Sequence, residues 1–126
     1  MGFWIFMLVN ELLLPFLMIG FGRSFQKHPP KKINPVYGYR TKMSSLNMET
    51  WNYAHTCCGS IWQRSGCAMS PVVLLCMVFT LGKSNRVIGI VGTVILLVQV
   101  GVMLLSVAAT ERKLHKTFDL NGHRKE

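Results

Sequence analysis

The residues able to do chemistry are few and fall in three places. Asn10 and Glu11 stand inside an apolar stretch near the N-terminus. A carboxyl in such a setting must be neutral or paired, and by default it marks a functional site. The bland reading is a protonated carboxyl hydrogen-bonded to Gln99 or Ser106 across a helix contact. Arg40, inside Tyr39-Arg40-Thr41, has a guanidinium suited to a lipid phosphate, a carboxylate such as Glu49 or Glu111, or a bound peptide. From its position alone it reads first as one more basic residue beside a membrane. His55 and Cys58, three apart, would make half of a metal site, but no second pair has ligand spacing. No metal or other cofactor is therefore expected. Cys57, Cys58, Cys67 and Cys76 read as small packing residues kept reduced near the cytoplasm. No Ser/His/Asp order, nucleotide loop or paired-carboxylate signature is present, and the expectation is a protein that is not an enzyme.

The elements that position these residues are set by three apolar runs. Phe3 to Gly22 contains one charged residue, Glu11; Ser65 to Gly82 and Val87 to Ala109 contain none. Each has the roughly 18 to 20 residues that cross a hydrocarbon core as a helix, and none shows the polar face of a soluble bundle helix. The chain has 126 residues, of which 50% are hydrophobic and 15% charged, too apolar for a disordered basic tail and too small to bury three such helices in a soluble core. The predicted fold class is an all-α membrane protein with transmembrane helices at about 3–22, 65–82 and 87–109, and the chain is read as one membrane domain. Met1 to Gly22 lacks the basic start and cleavage site of a signal peptide, so the first run is expected to be retained. Phe6 stands where a myristoylation signal would need Ser or Thr.

The 14 basic residues against 5 acidic ones, net +9, would alone allow a nucleic-acid binder. Their order along the chain points elsewhere. Arg23, Lys27, Lys31, Lys32, Arg40, Lys42 and Arg64 lie in the first connection, and Arg112, Lys113, Lys116, Arg124 and Lys125 in the tail. Only Lys83 and Arg86 fall in the short second connection. The positive-inside rule predicts a loop 23–64 and a tail 110–126 in the cytoplasm, with the N-terminus outside. The charge is then attraction to anionic lipid, with no direct nucleic-acid contact.

In the first connection, Pro29-Pro30 and Asn34-Pro35 forbid a helix and Gly38 permits a sharp turn. Helix is predicted to restart after Asn47 as N-cap, with Glu49 in the first turn. Trp51, His55, Cys58 and Trp62 then follow at steps of three or four, an amphipathic interfacial helix leading into the second span. Trp51, Tyr53 and Trp62 are expected at headgroup depth. The third helix is expected to continue past the membrane, with Leu114 and Phe118 on one face and Asn121-Gly122 as a stop. Gly89, Gly92 and Gly101 are the glycines expected to permit close helix packing.

Over Lys32-Ile33-Asn34-Pro35-Val36-Tyr37-Gly38-Tyr39-Arg40-Thr41, then Ser44 and Asn47-Met48-Glu49-Thr50-Trp51, the sequence resembles the SdpI family, bacterial multipass membrane proteins named for immunity to a peptide toxin. The likeness extends to Asn10 and Pro15, to Ala54 and Gly59, and to Thr110-Glu111, Leu114, Phe118-Asp119 and Gly122. It implies a membrane protein that protects its cell against a secreted antimicrobial peptide, reports the peptide's presence, or both. The family's namesake also holds a cytoplasmic repressor at the membrane. The namesake has more spans, and this chain looks like a short, motif-bearing version. The resemblance marks Asn34, Tyr37, Gly38, Tyr39, Arg40, Thr41 and Trp51 as binding residues, beside the intramembrane polar set Asn10, Glu11 and Gln99. The expected partners are the anionic bilayer, a peptide toxin, a cytoplasmic repressor and, by self-association, a second copy. Two other classes compete: an oligomeric small transporter, because three spans are too few for a monomeric pathway, and a lipid-acting enzyme built on Glu11, His55 and Arg40.

Overall fold

A computed structural model of the chain describes residues 1–125 and contains three helices, α1 (Gly2–Lys27), α2 (Met48–Val78) and α3 (Asn85–Thr117). All three are long and apolar enough to cross a membrane, as the apolar runs predict, and the protein is an all-α multi-pass membrane protein. With 26, 31 and 33 residues, they measure about 39, 46 and 50 Å, against a hydrocarbon core of about 30 Å. The surplus of α2 lies at its start and that of α3 at its end. Both therefore project on the side where the long first connection and the tail also lie, here called the loop end. The opposite, turn end holds the N-terminus and residues 79–84. The second helix stops at Val78, so residues 79–82, expected to complete the span, form turns instead.

The amphipathic segment and the second span are one uninterrupted helix. Its start is fixed by Asn47, whose side chain accepts from the Thr50 backbone N–H while the Thr50 hydroxyl accepts from the Asn47 backbone N–H, a reciprocal capping box. The apolar stripe of this segment is covered by protein. Trp51 is 0% exposed, with Ala54, His55, Cys58 and Gly59 also buried. The Trp51 ring is therefore covered by protein, not by headgroups: the first connection folds over it, and the indole N–H donates to the Pro30 carbonyl at 2.9 Å.

Close approach of α1 and α2 depends on glycines other than those the sequence suggested. A Cβ on Gly22 would lie 2.6 Å from the Gly59 carbonyl oxygen, and one on Gly59 would lie 2.6 Å from the Gly22 carbonyl oxygen. Two turns further on, a Cβ on Gly66 would meet the Pro15 carbonyl oxygen at 2.6 Å. Backbone thus packs on backbone, the arrangement small residues permit between membrane helices. Of the expected three, only Gly92 is tightly enclosed, by Met7 and Glu11; Gly89 barely touches a neighbour and Gly101 faces open space.

Two apolar clusters lie at opposite ends. Val73, Met77 and Ile88 form one at the turn end with Trp4 and Met7, where the Trp4 indole N–H reaches the Met77 carbonyl at 2.9 Å. Tyr39, Met43, Ala54, Cys58, Leu114 and Phe118 form the other at the loop end. Between them α2 and α3 are joined by the Trp62 indole, which donates to the Ser106 hydroxyl at 2.8 Å.

Candidate functional site

The loop-end knot begins with an Asx turn. Asn34 Oδ1 accepts from the backbone N–H groups of Val36 (3.0 Å) and Tyr37 (2.7 Å), and its amide donates to the Lys32 carbonyl. Gly38 then takes φ +111°, a conformation side chains other than hydrogen rarely allow. A Cβ there would also lie 2.5 Å from His55 Nε2. Gly38 is required on both counts, and the turn delivers Tyr39 into the protein.

Tyr39 is held at both ends. Its backbone N–H donates to His55 Nε2 at 2.9 Å, and its hydroxyl donates to Glu111 Oε1 on α3 at 2.7 Å. The His55 ring is fixed in turn by Nδ1, 2.7 Å from the Trp51 carbonyl. Because Nε2 accepts, the proton must sit on Nδ1 and the ring is neutral. His55 lies before residue 65, outside the expected crossing part of α2, and burial lowers its pKa, partly offset by the Trp51 carbonyl. Burial, then the Glu111 contact, pushes the Tyr39 phenol above its ordinary value. Phe25 of α1 closes the cluster, its ring centroid 5.0 Å from that of His55 and 5.9 Å from that of Trp62.

After Tyr39 the chain turns again. Thr41 and Ser44 exchange backbone-to-hydroxyl bonds of 2.8 and 3.2 Å. The Ser44 hydroxyl donates to the Tyr39 carbonyl, and the Thr50 hydroxyl to the Ser44 carbonyl. The tail closes over the same place. Leu114 and Phe118 are buried on one face, as their spacing predicts, and Gly122, at φ +83°, lets the chain return so that its carbonyl accepts from Asn47 Nδ2 at 2.8 Å. Arg124 stacks 5.1 Å from the Phe118 ring centroid and pairs with Glu49 at 2.8 Å. Asp119 accepts from the backbone N–H groups of Asn121 and His123, the latter bond chiefly keeping its carboxyl below the usual range.

The second polar site lies within the membrane. Pro15 has no N–H for the carbonyl four residues earlier, that of Glu11. Gln99 of α3 replaces it, its Nε2 donating to the Glu11 carbonyl at 2.9 Å. Both side chains are 2% exposed. Glu11 Oε2 and Gln99 Oε1 make no hydrogen bond among the described residues. Buried acceptors left without donors are costly in an apolar interior, and a proton on the carboxyl would turn one of them into a donor.

The expected site residues thus separate into groups. Asn34, Gly38, Tyr39, Thr41 and Trp51 join one hydrogen-bonded knot, with His55, Ser44, Asn47 and Glu111 as members. Glu11 and Gln99 meet; Asn10 does not join them, because it points outward and donates to its own helix at the Phe6 carbonyl. Ser106, the other suggested partner of Glu11, serves Trp62. Arg40 is exposed and its guanidinium donates to the Pro35 carbonyl. Its suggested carboxylates are engaged elsewhere, Glu49 by Arg124 and Glu111 by Tyr39. Both ring nitrogens of His55 are occupied, which leaves none to ligate a metal. Glu11 lies roughly 20 Å along α1 from Phe25 and the His55 cluster, so the three residues of the enzyme alternative do not converge. The sequence reading missed the contributions of Gly22, Gly66, Phe25 and Asn47 Nδ2. The seven-residue step from Gly59 to Gly66, two helical turns, was the available signal.

The SdpI/YfhL protein family matches residues 31–110, a run that contains the motif loop from Lys31 onward, all of α2 and most of α3. The Bacillus subtilis (strain 168) protein described as uncharacterized protein YfhL is 41% identical over 59 residues, 47% of this chain and 54% of that protein. The aligned region thus spans about half the length of that relative. No solved structure matches. With the match covering more than half of the chain, including the whole knot-forming loop after Pro30, the protein belongs to the SdpI/YfhL family.

Proposed function

We propose that this protein is a membrane immunity or signalling component that acts by binding a membrane-active peptide rather than by catalysis. The observation that carries the reading is how the motif is used. Most of its polar groups are consumed in building the knot, while Ile33, Val36, Tyr37 and Arg40 are left at the surface. A rigid support that presents one guanidinium among apolar and aromatic side chains suits a peptide or protein partner. In this reading the N-terminus lies outside and the loop end faces the cytoplasm, where the knot would report to, or hold, a regulatory protein.

Production of the protein in a peptide-sensitive cell should raise survival on challenge with secreted antimicrobial peptides. Arg40→Gln should reduce that protection while the protein still inserts and melts normally. Unchanged survival with every peptide tried would remove the immunity reading. A cytoplasm-dependent reporter fused to the C-terminus should be active; an inactive one would invert the proposed topology.

A further inference from the structure

A groove of about 300 Å³ runs along α1, lined by Phe16, Leu17, Gly20, Phe21, Ser24 and Tyr37. Its walls along α1 are apolar and open outward, and Gly20 leaves room between them, since a Cβ there would meet nothing within 4 Å. The Tyr37 ring packs against Phe21 at 6.4 Å and Phe25 at 6.0 Å between centroids, which fixes the loop-side wall. Two hydroxyls, of Ser24 and Tyr37, lie at the loop-end mouth, and neither side chain makes a hydrogen bond among the described residues. Gly20, Ser24 and Lys27 follow at steps of four and three, so the cation stands over the same face one turn beyond the mouth. Arg23, Lys31, Lys32 and Arg40 are also exposed at this end. Among the described residues the only Lys or Arg paired with a carboxylate is Arg124.

We propose that this groove seats one anionic phospholipid of the leaflet at the loop end. An acyl chain lies over Gly20 between Phe16, Leu17 and Phe21. The phosphate accepts hydrogen bonds from the Ser24 and Tyr37 hydroxyls and faces the Lys27 ammonium. The order of chemistry along the groove, apolar then hydroxyl then cation, follows that of a phospholipid from chain to headgroup. A zwitterionic lipid would gain the apolar contacts but leave the excess positive charge unanswered. The proposal does not rest on the peptide-binding reading, although Tyr37 borders both surfaces.

The test uses the full chain purified in detergent, titrated with phosphatidylglycerol or phosphatidylcholine and observed by native mass spectrometry. One phosphatidylglycerol should be retained per chain in preference to phosphatidylcholine. Gly20→Trp and Leu17→Trp, which fill the groove and alter no charge, should abolish that first adduct. Lys27→Gln should weaken it about fivefold, the effect expected of one lysine at an anionic lipid surface. Lys113→Gln removes the same charge from α3 and should leave it intact. Equal retention of both lipids, or persistence of the first adduct in both tryptophan variants, would overturn the proposal. An equal loss in Lys113→Gln would reduce it to diffuse attraction, and dissociation of a dimer by the tryptophan variants would give the groove to a second copy; either result would also overturn it.

Discussion

The loop-end knot and the α1–α3 crossing both bury polar groups, and they satisfy them in opposite ways. In the knot, backbone and side-chain donors meet acceptors in sequence from Asn34 through Tyr39 and Ser44 to Thr50, with Gly122 and Glu111 supplied by the tail end. At the crossing, one amide bond to a carbonyl freed by proline is made, and two oxygens of Glu11 and Gln99 are left over. The knot lies at the end where α2 and α3 extend past their expected spans, so ordinary rules of buried polar groups apply to it. The crossing lies within the expected spans, where an unpaired acceptor is costly and a proton on Glu11 would supply a donor. A densely bonded region specifies one conformation; a crossing with two unpaired acceptors specifies its polar partners less completely.

Substitutions can break each side of this contrast. The largest effect is expected from Gly59→Leu, which drives a side chain into the backbone of α1 and should cost about 3 kcal/mol or more, read as loss of the folded form in thermal melts in detergent. Gly101→Ala, in open space on α3, should change the melt by no more than about 1 kcal/mol. Trp51→Ala comes next: a fully buried indole and its bond to Pro30 should together be worth about 3–5 kcal/mol. If Trp51→Ala melted like the parent protein, the ring would be at the lipid interface after all. Tyr39→Phe, which keeps the ring and removes the bond to Glu111, should cost about 1–3 kcal/mol, with Glu111→Gln recovering part of it.

Acid distinguishes the two regions. His55 has a lowered pKa in the fold, so the unfolded chain binds its proton more readily. The stability due to the neutral ring is complete above the unfolded value near pH ~6.5 and is lost as pH falls toward the folded pKa, by at most about 1.4 kcal/mol per pH unit. Melting temperature should therefore drop on acidification in the parent protein, and less so in His55→Gln. A small effect, within about 1 kcal/mol, is expected of Glu11→Gln, because the amide keeps the shape of the side chain and brings its own donor. If its stability is unchanged but protection in the challenge assay is lost, the proton itself has a function; if both are unchanged, the pair is structural.

Much of the fold was legible because bilayer thickness and backbone hydrogen bonding leave an apolar run of this length one solution. The Asn47 cap, the Leu114–Phe118 face and the non-helical proline loop were legible for equally local reasons. The site was only partly so. Glu11 and Gln99 are 88 positions apart, and their meeting depends on how α3 crosses α1. The sequence could offer Ser106 as an alternative, and only packing assigned that hydroxyl to Trp62. The amphipathic stripe of α2 was visible, but its spacing is the same whether protein or lipid headgroups cover it; the fold of residues 28–47 decided for protein. Glycine positions were visible as well, yet only the crossing of α1 and α2 chose Gly22, Gly59 and Gly66 over Gly89 and Gly101. The sequence by itself determined what must cross the membrane and where helices begin, because those are contests between each segment and its solvent. Tertiary structure alone decided which polar group answers which, because each such bond joins segments whose separation in the chain carries no record of their contact.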